Sequence, residues 1–386
     1  MGFRPATQRY ACQRCGRCCR RFLIPLGPGE VRAIARLPWP HCAEQRIQSY
    51  RMLGGRAYLR ADARTAECVY LAEGDVCRMH HTFGGRCKPV ACRAYPFAFM
   101  RTFGEEITVA ARFDCPAVQQ DQGEALGFYR GEWESLFADH LMPPLPPPVT
   151  DAQRDGLFRE SLERIADFLM SALREGEASL PALQRMVRRL RKLGPVFLND
   201  KEVLPSVLPS MAEKACRECP AREEPVVGIL WPERVRLRQR MMECLRFDRQ
   251  LPDFSLGARL RQAARNAAIL WGFGNPRSFG PQQPDLSLHR ARLFRNEAWH
   301  SAPGAWLPYR RCLAVRLESR QFFASAYYGK GFFDGLEALL DTWGTAVVLA
   351  RLHAAVDHLG TVQQEDVAYA TGLIDHLHGR KFRGTP

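Results

Sequence analysis

Cysteine is the residue type whose number and spacing could do chemistry in this chain. Four thiols fall within eight residues, at Cys12, Cys15, Cys18 and Cys19, and a second group follows at Cys68, Cys77, Cys87, Cys92 and Cys115. Structural cysteines usually occur singly, as small buried hydrophobes. Two-residue gaps instead let successive sulfurs turn toward one centre, as in zinc and iron–sulfur sites. These cysteines are the candidate metal ligands.

The run Cys12-x2-Cys15-x2-Cys18 has the spacing that bacterial ferredoxins use for three ligands of a four-iron cluster, and Cys115-Pro116 offers a distant fourth. Zinc accepts the same thiolates in a tetrahedron, at about 2.3 Å per sulfur. Adjacent Cys18 and Cys19 diverge, which suits a cluster or two neighbouring metals on one loop. The thiols also outnumber what one four-coordinate ion uses, so iron–sulfur is favoured over zinc, although spacing does not separate the two. His80 and His81 lie in a loop and are read as non-ligands, despite the mixed His and Cys ligation of Rieske-type centres. Cys216-x2-Cys219, with Cys244 and Cys312, is a weaker candidate for a second thiolate site. Cys42 reads as a packing thiol.

Other chemistries lack their motifs. The chain has no Gly-x-Ser-x-Gly elbow, no phosphate-binding Gly-Lys-Ser/Thr loop and no HExxH helix. Tyr327, Tyr328, Phe332 and Phe333 surround Gly329-Lys330-Gly331, either as a ligand pocket or as a helix break packed by its own aromatics.

The chain has 386 residues, enough for two or three domains, and a net charge of +14. Only six of the 55 basic residues are lysine, and the charge is scattered without a nucleic-acid reader motif. Nucleic-acid binding is therefore not expected. No apolar run approaches the roughly 20 residues of a membrane span, and Met1 to Tyr10 has no apolar signal region. A cytoplasmic protein is expected, where dense thiols more often mean metal than disulfides.

The elements that must position the cysteines follow from patterning. Gly27-Pro28-Gly29 predicts a turn, residues 30–37 a short helix, and residues 41–66 helix and loop broken at Gly54-Gly55. Alternating Phe97, Phe99, Arg101 and Phe103, then Ile107, Val109, Ala111 and Phe113, predict a β-hairpin about Gly104-Glu105. Such a hairpin would bring Cys92, just before it, close to Cys115, just after it. A polyproline spacer at 143–149 divides a Cys-rich domain, 1–142, from an α-helical domain, 150–386. In the latter, Thr150 and Gln153 have capping-box spacing, as do Thr361 and Gln364. Helices are expected after Thr150, with Phe158, Leu162, Ile165, Leu169 and Ala172 as one stripe, and over 179–194, 233–272, 316–328, 333–357 and 362–378. The fold class is mainly α, with an irregular Cys-rich metal-binding domain that carries a β-hairpin.

These residues resemble a known family. Cys12-x2-Cys15-Gly16-x-Cys18-Cys19 and Cys68-Val69-Tyr70-Leu71 are similar to the CxxCxxCC domain of zinc- or iron-chelating proteins, as are Cys77, Cys92-Arg93-Ala94-Tyr95-Pro96 and the closing Cys115. The stretch from Cys77 and His80 through Gly84 and Pro89 to Pro96, and the chain length, resemble the flagellin lysine N-methylase branch. The likeness covers 12–116; Cys87, the spacer and Cys216-x2-Cys219 fall outside its pattern.

The resemblance implies methyl transfer from S-adenosylmethionine to lysines of a protein substrate. Independently of the resemblance, the aromatic cluster at Tyr327, Tyr328, Phe332 and Phe333 is the place that would face the donor sulfonium by cation–π contact, with Tyr327 and Tyr328 as the expected donor-binding residues. A non-catalytic chelator of iron or zinc and an electron-transfer module are the alternatives.

Overall fold

A computed structural model describes residues 2–37, 49–62, 65, 67–138, 142, 145–175, 179–219, 225–245, 256–279, 283–357 and 360–378. The fold is mainly α, with its strands concentrated before residue 126. No described helix is long and apolar enough to cross a membrane. Cys42 lies outside the described residues.

The alternating segment forms the expected hairpin, Phe97–Arg101 antiparallel to Glu106–Ala111. Its inner face buries Ile107, Val109 and Ala111 against Phe3, Trp133 and Leu136. Gly2–Pro5 adds to it in parallel, with Phe3 opposite Ile107. The Gln8 amide clamps this edge by bonding both backbone groups of Ala111, at 2.8 and 3.0 Å.

Residues 41–66 depart from the expectation. Tyr50–Leu53 and Arg56–Leu59 are strands of a second antiparallel sheet, with Pro25–Leu26 on its far edge. Gly54 and Gly55, at φ 53° and 75°, form the two-residue turn. Both residues of such a turn need positive φ, which explains the glycine pair that otherwise reads as a break.

In the second half, Arg159–Glu175 packs on Leu307–Glu318, Leu180–Leu198 on Val203–Glu218 and Phe332–Leu340, and Thr342–Asp357 on Gln364–Leu377. Leu162, Ile165, Leu169 and Ala172 are buried as their spacing requires, whereas Phe158 precedes the helix and is exposed. The 179–194 helix meets left-handed Gly194 at φ 76° and makes one further turn from Pro195. Its arginines pair within the chain, Arg185 with Glu218 at 3.0 Å and Arg191 with Asp334 at 2.7 Å.

Four helical boundaries differ from expectation, the first being 333–357, which is two helices, Phe332–Leu340 and Thr342–Asp357. Trp231–Leu245 and Leu256–Trp271 are separate helices. The helix expected at 316–328 instead runs Leu307–Glu318, because Arg320 and Ala324 adopt positive φ beyond it. Thr150 caps a short 3-10 turn, Asp151–Arg154, whereas the last helix is capped by Gln363, whose N–H donates to Asp366 at 2.7 Å.

Residues 145–149 are packed rather than free: Leu145 touches the hairpin core, and the Val149 N–H donates to the Thr102 carbonyl at 2.8 Å. Cys312 and Val315 of helix 307–318 belong to the same core as Phe3 and Val109. Chain segments on either side of the spacer therefore share one apolar cluster.

Candidate metal centre

The first cysteine group rides on a loop and a short helix. Arg14 and Gly16 are left-handed, at φ 54° and 63°, so the chain reverses between Cys12, Cys15 and the helix Arg17–Arg21 that carries Cys18 and Cys19. A Cβ at Gly16 would lie 2.8 Å from Arg20 Nη1 and 3.0 Å from Asp75 Oδ1. That crowding matters because Arg20 ties the helix down, bonding Glu67 at 2.7 Å and pairing with Asp75.

The second group comes from several short elements. The Cys68 N–H donates to the Cys19 carbonyl at 2.8 Å, fixing Cys68 behind the helix. Cys77 caps Arg78–Phe83, Cys92 lies in Val90–Ala94, and Cys115 caps Pro116–Gln120. The caps put the sulfurs of Cys77 and Cys115 at helix ends, where backbone N–H groups favour a thiolate. Neither sulfur makes a cap hydrogen bond, but the nearby backbone N–H groups of Met79 and His80 favour the Cys77 thiolate, and those of Ala117 and Val118 the Cys115 thiolate.

Two cavities result, of about 400 and 430 Å³. Cys18, Cys19, Cys77 and Cys92 line both. Cys68 belongs to the first; Cys12, Cys15 and Cys115 belong to the second. The hairpin thus brings Cys92 and Cys115 to one cavity. Cys87 lines neither and packs against the neighbouring apolar cluster. His80 and His81 stand on the helix Arg78–Phe83 rather than in the expected loop, and reach the second cavity only.

Cys19 is the hub. It lies within hydrogen-bonding reach of Cys18, Cys68 and Cys77, which hold its proton and push its pKa far up. The same bond from Cys19 lowers Cys77 to about 5 and Cys18 to about 7. Burial raises Cys92 and Cys115, the latter to about 12. Lys88, on both cavity walls, is desolvated there, but neighbouring thiolates raise it on balance. Tyr10 lines the second cavity together with Cys12. Lys88 and Tyr10 escape sequence reasoning; the only signal is that Lys88 is one of six lysines and stands beside a cysteine.

The donors are of the right kind for a thiolate-bound metal: soft sulfurs, two of them at helix ends, with a cation beside them. As they stand, no three His, Cys, Asp or Glu side chains among the described residues close into a group that could hold one ion. The sulfurs ring two cavities rather than one point.

The other candidates are dispersed. Cys216 and Cys219 touch the helical core, Cys244 lines a separate cavity, and Cys312 is buried 3.7 Å from Asp375. Tyr327 and Tyr328 do line that cavity, with Arg240, Glu243 and Lys330. Phe332 and Phe333 turn away from it into the core, against Phe322 and Phe323. The aromatic cluster is thus two tyrosines on a cavity and two phenylalanines beneath it.

No family model, curated protein or solved structure matches this chain.

Proposed function

We propose that this chain is a thiolate-ligated metal protein, with an iron–sulfur cluster favoured over zinc. Its ligands would be drawn from Cys18, Cys19, Cys68, Cys77 and Cys92 on one side and Cys12, Cys15 and Cys115 on the other, four thiolates to each cluster or ion. The observation that carries this reading is the convergence at Cys19 of sulfurs from three separated chain segments. A packing role gives no reason to gather unbridged thiols, since buried free cysteines act as isolated small hydrophobes. An iron–sulfur cluster bound here supplies one-electron chemistry. The chain's own part is to keep Cys77 and Cys18 easily deprotonated and to set Lys88 against the thiolate charge.

Anaerobic purification followed by iron, acid-labile sulfide and zinc analysis tests the proposal. Iron with sulfide and broad visible absorption is the expected result. Stoichiometric zinc without colour would replace the cluster and keep the site; protein free of either metal after reconstitution would remove the reading.

Methyl transfer to a protein lysine rests on the resemblance, with chelation or electron transfer as the alternatives. Arg240 and Lys330 beside Tyr327 and Tyr328 oppose a sulfonium at that position. Mass spectrometry of lysines after incubation with S-adenosylmethionine decides between these activities.

A further inference from the structure

The third cavity, of about 270 Å³, shares no residue with the two cysteine-lined cavities. It lies where helices 231–245, 342–357 and 364–377 meet the loop that follows Ala324. Two cations, Arg240 and Lys330, face it alongside one carboxylate, Glu243. His378 adds no charge, because burial and Arg316 push its pKa down to about 3. The wall is therefore net positive.

Thr345 gives a second, independent sign. It lines the cavity at 3 % exposure, and its Oγ1 has no hydrogen-bond partner among the described residues. Buried hydroxyls in folded proteins are ordinarily paired, so this donor lacks its acceptor.

The loop presents its tyrosines at some cost. Ala324 sits at φ 52° and ψ −142°, a region natural to glycine, and Tyr328 is left-handed at φ 60°. Ala324 N–H to Lys330 O and Gly329 N–H to Ala324 O, both at 2.7 Å, hold the loop in that shape. Tyr328 Oη donates to the Leu377 carbonyl at 2.9 Å, which fixes its ring at the cavity. Strain held by surrounding contacts is characteristic of ligand clamps.

We propose that this cavity binds a small organic anion, a carboxylate or phosphate borne on a flat ring. The anionic oxygens lie between Arg240 and Lys330 and accept the Thr345 hydroxyl, while the ring rests against Tyr328. The site needs no metal, so it stands or falls apart from the cysteine reading.

Calorimetry on the full purified chain at low salt, with benzoate, adenosine monophosphate and S-adenosylmethionine as probes, tests it. Saturable binding of benzoate or adenosine monophosphate is expected, and which of them binds separates carboxylate from phosphate. Arg240→Gln and Thr345→Val should each weaken that binding about tenfold. Thr345→Val is nearly isosteric and removes an unpaired hydroxyl, so the ligand-free variant should melt no lower than the parent. This variant decides the matter if Arg240→Gln fails to fold. Absence of binding by both anions at about 10 mM overturns the proposal, as does unchanged affinity in Thr345→Val. Binding of S-adenosylmethionine alone also overturns it, and returns the cavity to the methyl-donor reading.

Discussion

His376 Nδ1 lies 3.1 Å from Asp114 Oδ2, with both side chains buried, so the last helix grips the residue next to Cys115. Asp114 also accepts Arg112 at 2.6 Å and the Tyr95 hydroxyl at 3.1 Å. One residue before His376, Asp375 accepts the Phe113 N–H at 2.7 Å and Arg316 Nε at 3.0 Å. Two carboxylates thus bind the hairpin strand's exit to two C-terminal helices. The cysteine region and the helical region share a buried polar seam.

Removing one partner of a buried ion pair strands the other, typically at about 3–5 kcal/mol. Asp375→Ala leaves Arg316, 3 % exposed, without its carboxylate. The variant should lose stability in that range, and it should do so in both regions together. Urea unfolding followed by tryptophan fluorescence and by far-ultraviolet circular dichroism checks this. Two separated transitions in the parent protein would show that the seam does not couple the regions.

Cleavage at the polyproline spacer should not separate the products. Besides the seam, Gln321 Nε2 donates to the Ala98 carbonyl at 3.1 Å, and Cys312 and Val315 complete the hairpin core. After limited proteolysis, the two fragments should co-elute on size exclusion without denaturant. Fragments eluting at their separate sizes would support the division into two domains, 1–142 and 150–386.

Legibility tracked how local the cause was. The hairpin at 97–111 was readable because alternation and a turn glycine sit within one short stretch. The strand pair at 50–59 was not, since Tyr50-Arg51-Met52-Leu53 does not alternate and its glycines mimic a break. Helix 307–318 was missed because it is buried on nearly every side, down to Arg316, so no amphipathic stripe marks it. The cysteines announced themselves by spacing, and the hairpin explained how Cys92 and Cys115 meet. Lys88 gave little sign, and the Asp114–His376 contact joins positions 262 residues apart, beyond any spacing rule.

Cysteine substitutions should sort by cavity. Cys19→Ser and Cys68→Ser remove the hub and its rear partner, and should abolish metal retention after reconstitution. Because metal binding couples to folding, both should also lower the melting temperature of loaded protein toward that of the metal-free form. Cys87→Ser and Cys312→Ala should keep the parent's metal content by elemental analysis. Metal loss in Cys87→Ser, with Cys68→Ser unaffected, would show that the ligand set closes on a different side.

Acid should destabilise the protein through His378 well before its carboxylates titrate. Burial and the Arg316 charge bring this imidazole from 6.5 down to about 3 in the folded state. Between those values the unfolded chain takes up a proton that the folded chain refuses. Stability from this group is complete above pH 6.5 and falls as the pH drops toward 3. The slope approaches about 1.4 kcal/mol per pH unit, which integrates to about 1.6 kcal/mol between pH 6.5 and 5. Burial pushes the Asp375 pKa up, but Arg316 holds it below the ordinary value on balance, so its contribution is lost only below the ordinary carboxylate range. His378→Gln cannot titrate and should flatten the decline between pH 6.5 and 5 relative to the parent. Urea midpoints for both proteins across that interval give the comparison, in which the other histidines cancel. Parallel slopes would mean that His378 is protonated in the folded chain, and that the cavity it borders carries one more positive charge.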